Sequence, residues 1–530
     1  METAGYDHLS VEAEARAIWE AADVYKCQGT DFTVDTPPAY VSADHLHVGH
    51  AMSYSQPDFI VRYRRMRGER VFYPMGFDDN GLPTERYVEQ KLGLTAASMP
   101  RAEFVALCLA ETRRGGAAYE ELWRRLGLSV DWSLRYSTID ERCQRVAQTS
   151  FITLYEAGLV RRAADPVLWC PLDQTALAQA DIEDSERRSV LYRILFTGSG
   201  GERIEIATTR PELLPGCVAL YHHPADSRYA GLTAATVPLS DRTVPVLTDE
   251  DVDPEFGTGL MMVCTFGDGE DVRRWRRDGL ELRLVLGADG RLGPLAGPFS
   301  GLAGAEARKA VVAALAADGL LAGQTPVRQV VGVHDRCGTP AEFQIRPQWF
   351  VAVRDNAARF RDRAAELEFI PEFMRRRLED WIDGLKWDWN ISRQRRYGVP
   401  FPVWFCSSCS SPVLAPLESL PVDPLSCAAP ACSACGSESA EPDPDVMDTW
   451  MTSSLTPQIN LGWPVDGDAP VMSVRVQGFE IIRTWLFYTL VQSELHFRRL
   501  PWRAALISGW GLNEQGRKLS KRDLAGESRY

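Results

Sequence analysis

Thr36-Pro37-Pro38-Ala39-Tyr40-Val41-Ser42-Ala43-Asp44-His45-Leu46-His47-Val48-Gly49-His50 follows the apolar run Phe32-Thr33-Val34. β-Branched residues leading into Pro-Pro and then a glycine-containing turn predict a buried strand, a loop, and a helix starting near Gly49. His47 and His50 then stand at a helix N-terminus, where unpaired N–H groups and the helix dipole favour a phosphate. Gly49 leaves room for a nucleotide against the backbone. Almost at the other end, the apolar run 504–510 leads into Gly516-Arg517-Lys518-Leu519-Ser520-Lys521-Arg522. Two lysines flanking a serine on a glycine-flexed loop suit a polyphosphate and the charge that builds as pyrophosphate departs. Read singly, the first stretch is also an ordinary turn and the second a solvated basic loop.

Together the two stretches resemble the paired signatures of class I aminoacyl-tRNA synthetases, and the spans between them point to the valyl branch. The resemblance covers nearly the whole chain. It implies an α/β fold: a Rossmann-like parallel-sheet nucleotide-binding domain, an inserted β-rich editing domain and a zinc ribbon. It implies His47, His50, Lys518, Ser520 and Lys521 as the catalytic set, with Gly49, Gly478 and Glu480 for ATP. It further implies that Pro38, Trp450 and Ile481 wall the amino-acid pocket and that Asp78 receives the α-amino group. Valine, ATP, Mg2+ and tRNA are the implied ligands. From the residues alone, Asp78 and Asp79 in the loop 76–85 either hold an ammonium or cap the next helix. Trp450 and Ile481 alone read equally as core.

The chain has 530 residues, 45% of them hydrophobic and 25% charged, enough for two to four globular domains. No run is long and apolar enough to span a bilayer and the N-terminus has no export signal, so the expectation is a cytoplasmic protein without membrane contact. A net charge of −14 argues against non-specific nucleic-acid binding over the whole surface. Local basic tracks are Arg62, Arg64, Arg65 and Arg67, and Arg375, Arg376 and Arg377 with Arg393, Arg395 and Arg396. They read as solvated faces or as contacts to an RNA backbone.

Residues 1–187 are expected to form the first half of the catalytic domain, opening on a helix with Val11, Ala15, Ile18, Trp19 and Ala22 on one stripe. Residues 188–330 change to short strands with frequent turns, an inserted domain. Its stretches Thr208-Thr209-Arg210-Pro211-Glu212 and 256–271 resemble the editing domain of the valyl, isoleucyl and leucyl enzymes. By that resemblance Asp268 and Asp271 recognise the substrate and orient water, with Thr208 and Arg210 nearby. Met262 and Cys264 depart from the bacterial type toward the archaeal one. A valine enzyme has use for editing because an apolar pocket rejects threonine's hydroxyl only about a hundredfold, a figure already known for valyl enzymes in general and not a property read from this chain.

Residues 331–400 return to the first sheet, 401–445 form the zinc ribbon and 446–530 complete the catalytic domain. Cys406-x-x-Cys409 and Cys432-x-x-Cys435, in a Ser/Pro/Gly-rich segment, have the spacing of a tetrahedral structural zinc site. Cys427 lacks a knuckle partner. Cys27, Cys108, Cys143 and Cys217 read as small core residues. Where the family usually has Cys-x-x-Cys this chain has Cys170 and Asp173; with His334 and Cys337 they bind zinc only if the fold brings them together, and the exchange of Cys for Asp points to a lost site.

The family continues past the second signature into an anticodon-reading helical bundle, and only Asp523 to Tyr530 follow it here. The leading expectation is tRNA charging by an enzyme seen here in part, either as a fragment or as one half of a split gene with a separate C-terminal partner polypeptide. A stand-alone paralogue loading valine onto a non-tRNA acceptor, or a non-catalytic sensor, are the alternatives.

Overall fold

A computed structural model describes residues 6–41, 48–464, 471–509, 511, 512 and 514. The chain divides into two compact units, 1–161 with 349–530, and 162–348.

The first unit is built on a five-stranded sheet of Glu368–Ile370, Trp502–Ser508, Met472–Gly478, Phe32–Asp35 and Val71–Phe72, in that spatial order. Every neighbouring pair is parallel. The second strand in sequence lies on one side of Phe32–Asp35, and the remaining three lie on the other. The direction of winding therefore reverses between Phe32–Asp35 and Met472–Gly478, and in such sheets the crevice beyond the strands' carboxyl ends is where ligands bind. A smaller parallel sheet, Ala39–Tyr40, Gly76–Asp78 and Tyr136–Ser137, continues from those ends.

The two central strands are pinned by a fully buried ion pair. Asp35 and Arg475 are register partners, and both side chains are 0% exposed. Arg475 Nε donates to Asp35 Oδ2 at 2.9 Å, and Trp502 Nε1 donates to the same oxygen at 2.8 Å. The guanidinium also donates to Thr489 Oγ1 (2.8 Å), Thr456 Oγ1 (3.1 Å) and the Trp485 carbonyl (3.1 Å). Its plane lies between Trp485 and Trp502, 3.3 and 3.9 Å from the ring centroids. Burial pushes the Arg475 pKa down to about 10, so the group keeps its charge at neutral pH.

The helix starting near Gly49 is Val48–Met66. Its inner face buries Tyr54, Pro57, Asp58 and Val61, and Asp58 accepts from both the N–H and the hydroxyl of Ser129 at 2.6 Å. Met52, Phe59 and Tyr63 lie on the outer face instead, Phe59 with 69% of its surface exposed. The opening helix is His8–Ala21, N-capped by Asp7, and it buries no residue. Its stripe therefore does not form core: Val11 and Ile18 are exposed. Cys108, Cys143 and Cys217 are buried as core, and Cys27 is half-buried.

The second unit holds a seven-stranded sheet. Its longest strands, Ile182–Gly198 and Leu321–His334, pair antiparallel from Ile182↔His334 to Ile194↔Leu321. The boundaries expected at 188 and 330 fall inside these strands, because the ladder starts well before residue 188. One of the unit's strands is Ala234–Thr236, and Leu239 beyond it takes a left-handed turn conformation with φ 59°. The core packs Ile194, Phe196, Ile206, Leu213 and Leu220 against Val311 and Leu315 of the helix Gly304–Ala317. Among the described residues no helix is long and apolar enough to cross a membrane.

Removing one member of a buried pair leaves a desolvated charge, so Arg475→Met is expected to cost about 3–5 kcal/mol. Asp35→Asn combined with Arg475→Met recovers part of that loss, and urea unfolding followed by tryptophan fluorescence measures both.

Candidate active site and metal centres

The cleft follows from the reversal of winding. Thr36-Pro37-Pro38 leaves the carboxyl end of Phe32–Asp35, and the turn Phe479–Ile481, carrying Glu480 and Ile481, leaves that of Met472–Gly478. Gly49 and His50 sit in the first turn of Val48–Met66. That helix is held over the carboxyl ends by Tyr54, whose hydroxyl donates to the Pro37 carbonyl at 2.7 Å, and by Ser53, 3.3 Å from Ser508. A Cβ on Gly478 would strike the Glu480 carboxylate, which lies back over that glycine. His47, Lys518, Ser520 and Lys521 lie outside the described residues.

Asp78 ends the strand Gly76–Asp78 as the register partner of Tyr40, which places it beside the Pro38 segment. It is buried and accepts from Thr138 Oγ1 at 2.9 Å. Asp79 is buried as well: its N–H donates to Thr138 Oγ1 (3.1 Å) and its Oδ2 accepts from Ser137 (2.7 Å). Neither carboxylate caps the following helix, whose N-cap is Gly81 without a side-chain bond. Gly81 is required twice over: its φ is +78°, and a Cβ there would strike the Thr449 hydroxyl. Thr449 donates to the Asn80 carbonyl at 2.8 Å and opens the helix Thr449–Ser453, which carries the half-buried Trp450. The loop bearing Asp78 is thus fixed on one side by Ser137 and Thr138 and on the other by the turn bearing Trp450. Sequence reasoning missed Ser137, Thr138 and Thr449, because nothing local marks a hydroxyl whose partner lies about 60 or several hundred residues away.

The arginine tracks are engaged internally. Arg62 pairs with Asp58 at 2.7 Å, Arg64 with Glu69 at 3.1 Å, and Arg65 donates to the Ser129 carbonyl at 2.8 Å. Arg395 meets Glu85 at 2.7 Å, Arg393 meets Asp448 at 3.0 Å, and Arg376 meets Asp380 at 2.8 Å. Arg393 and Arg395 are largely buried in their pairs, whereas Arg376 and Asp380 stay mostly exposed.

In the second unit, Thr208 Oγ1 accepts from the Arg210 N–H at 3.0 Å. The Arg210 guanidinium is gripped by both oxygens of Glu342 (3.0 Å each), by Glu212 (3.2 Å) and by the Gly267 carbonyl (3.2 Å). That last bond ties it to the loop of Asp268 and Asp271. Asp268 is exposed and caps the helix Gly269–Asp278, accepting from the N–H groups of Glu270 and Asp271. Asp271 is buried and accepts from Gly267 N at 2.8 Å and Cys264 N at 3.2 Å. Burial, reinforced by the neighbouring Asp268, raises its pKa to about 8.

Two clusters have the chemistry of metal centres, each with its ligand atoms within 4.8 Å of one another. In the first, Cys406 Sγ is 3.5 Å from Cys435 Sγ and Cys409 Sγ is 3.7 Å from Cys432 Sγ. Those spacings fit a tetrahedron with metal–sulfur bonds of about 2.3 Å. The two knuckles repeat one backbone pattern: Cys406 N donates to Ser411 O and Ser410 N to Cys406 O, as Cys432 N does to Ser437 O and Gly436 N to Cys432 O. N–H groups of Cys409 and Ser408 lower the Cys406 pKa to about 6. Cys427 lies outside the cluster, bonded to the Asp423 carbonyl. In the second cluster the fold brings together the residues whose convergence the sequence left open: Cys170 Sγ is 3.6 Å from Cys337 Sγ, and His334 Nδ1 is 3.0 Å from Asp173 Oδ2.

Residues 14–525 match the family of tRNA synthetases class I (I, L, M and V). The chain belongs to that family. Among curated proteins it is 42% identical to the valine--tRNA ligase of Anaplasma marginale (strain St. Maries), over 97% of this chain and 65% of the relative. It is also 42% identical to that of Thermoplasma volcanium, over 95% and 64%. This class I synthetase chain thus spans about 65% of the length of the relatives it matches. Among solved structures it is similar to the agnB2 LeuRS of Agrobacterium radiobacter K84, in a ternary complex with tRNA and LeuAMS, at TM-score 0.51 and 21% identity, covering 98% of this chain and 69% of that one. That likeness supports the fold.

Burial raises the Asp79 pKa from 3.8 to about 7. The folded state therefore keeps a proton that the unfolded chain releases, and stability is lost as pH rises through about 7. Asp79→Asn is expected to unfold later than the parent protein at about pH 8, by about 2 kcal/mol, with the gap narrowing toward about pH 5. Thermal unfolding across that range measures it.

Proposed function

We propose that this chain activates valine with ATP and passes it to tRNA, working in the cytoplasm. The observation that carries this reading is 42% identity to valine--tRNA ligases over 97% of the chain, joined to a parallel sheet whose winding reverses between the strands that lead to Pro38 and to the turn of Glu480 and Ile481. Asp78 receives the valine ammonium, while Pro38, Trp450 and Ile481 enclose its side chain and leave no room for isoleucine's extra methylene. The space-filling contact discriminates by about 1–3 kcal/mol. Glu480 accepts from the ribose hydroxyls. The valine carboxylate attacks the α-phosphate in line as pyrophosphate leaves, giving the mixed anhydride. His47 and His50 donate to the crowded phosphoryl oxygens, and Lys518 and Lys521, spaced by Ser520, neutralise the departing pyrophosphate. Magnesium bound with the nucleotide shields its phosphate charge.

Thr208, Arg210, Asp268 and Asp271 form the editing site for threonine attached in error. Arg210 braces the loop, exposed Asp268 reaches the substrate, and Asp271 orients water. Zinc held by Cys406, Cys409, Cys432 and Cys435 supplies the folding energy of a segment with little apolar core. The cluster of Cys170, Asp173, His334 and Cys337 holds a second zinc through two sulfurs, one nitrogen and one oxygen.

The deciding test is valine-dependent ATP–pyrophosphate exchange and valine attachment to tRNA on one sample. Exchange specific for valine over isoleucine, leucine and methionine supports the reading, and exchange absent with all four contradicts it. Exchange without charging assigns activation to this chain and leaves it in need of either a missing half or a different acceptor. Lys521→Ala is expected to slow exchange by about a hundredfold or more with the KM for valine little changed.

If Asp271 orients water as a carboxylate, deacylation of threonyl-tRNA rises with pH through about 8, following its raised pKa, and Asp271→Asn removes the rise. Metal analysis is expected to find about two zinc ions per chain, one lost in Cys409→Ser and the other in His334→Ala.

A further inference from the structure

The loop carrying Asp78 is steered by a residue that no signature contains. Thr138 is fully buried. Its N–H donates to the Phe77 carbonyl at 3.0 Å, extending the parallel ladder of Gly76–Asp78 with Tyr136–Ser137. On the other side, Asp140 caps the helix Glu141–Glu156 through the Cys143 N–H (2.7 Å) and accepts from Ser137 N (3.2 Å). Thr138 is therefore held between a sheet and a capped helix before its hydroxyl is considered.

The direction of that hydroxyl is fixed by its neighbours. The Asp79 N–H reaches Thr138 Oγ1 at 3.1 Å and can only donate. The oxygen thus accepts from Asp79, and its single proton points to Asp78 Oδ1 at 2.9 Å. A hydroxyl polarised by an incoming N–H and donating to a carboxylate is a charge-assisted bond, and it sets both the rotation of the carboxylate and its charge distribution.

We propose that Thr138 is a positioning residue for amino-acid binding: its bond to Oδ1 fixes the rotation of the Asp78 carboxylate, so that the group meets the ligand's ammonium in a single orientation. The inference rests on the activation reading, in which Asp78 takes the α-amino group. Asp79 serves the same loop through its backbone N–H, and Ser137, bonded to the Asp79 side chain, keeps that second carboxylate turned away from Thr138.

Thr138→Val keeps the shape and removes the hydroxyl; Thr138→Ser keeps the hydroxyl. Exchange kinetics are measured for both, together with inhibition by valinol, which retains the ammonium and lacks the carboxylate. Thr138→Val is expected to raise the KM for valine and the inhibition constant for valinol in parallel by about tenfold or more. The KM for ATP stays within about twofold, and Thr138→Ser recovers most of the loss. An unchanged KM for valine in Thr138→Val, a parallel rise in the KM for ATP, or no recovery in Thr138→Ser overturns the positioning role while the activation reading stands. A parent protein that neither exchanges nor binds valinol overturns both.

Discussion

The buried pair of Asp35 and Arg475 is the constraint on which the rest of the first unit depends. The two residues are separated by 440 positions and face each other across neighbouring parallel strands. Slipping either strand by one residue sets each charge against Val34, Thr36, Val474 or Val476, with a desolvation cost of several kcal/mol per ion. A buried ion pair is weak as a source of stability, and its physical use here is to specify register. The tryptophans on both faces of the guanidinium exclude water, and Thr456, Thr489 and the Trp485 carbonyl satisfy its remaining N–H groups.

That register decides where the cleft lies. With Asp35 opposite Arg475, Pro38 and the Gly478–Ile481 turn leave the sheet side by side, at the point where the winding reverses. The groups that the proposed function assigns to the ligand then come from segments that share no local sequence. Pro38 follows the first strand, Asp78 the second, Trp450 a helix entered after the cysteine ribbon, and Glu480 the fourth strand. Asp78 is bonded to Thr138, and the Asn80 carbonyl two residues on is bonded to Thr449, both from distant parts of the chain.

Features whose physics is local were legible in the sequence. The strand, Pro-Pro loop and helix at 32–66, the Cys-x-x-Cys knuckles and the β-rich texture near 190–330 each carry their signal within a few residues. Features that depend on distant partners were not. Asp35 reads as an ordinary strand end, and Thr138 as one of many hydroxyls. The helix predicted from near Gly49 buries Tyr54, Pro57 and Val61, while Met52, Phe59 and Tyr63 face outward, a division that nothing in the local sequence marks. The inserted unit begins earlier than its texture changes, because Ile182–Ser189 pairs with Val327–His334 through charged and polar residues that read as a loop. The second metal cluster was uncertain for the same reason, since its two halves lie more than 160 residues apart.

In the proposed function the cleft at the winding reversal is built for an activated valine, and direct binding tests this without depending on turnover or on tRNA. Titration calorimetry with the non-hydrolysable sulfamoyl analogues of valyl-adenylate and isoleucyl-adenylate measures it. The expected result is one site per chain, with the valyl compound bound at least about tenfold more tightly than the isoleucyl one. Equal affinity for the two, or no binding of either, would contradict it.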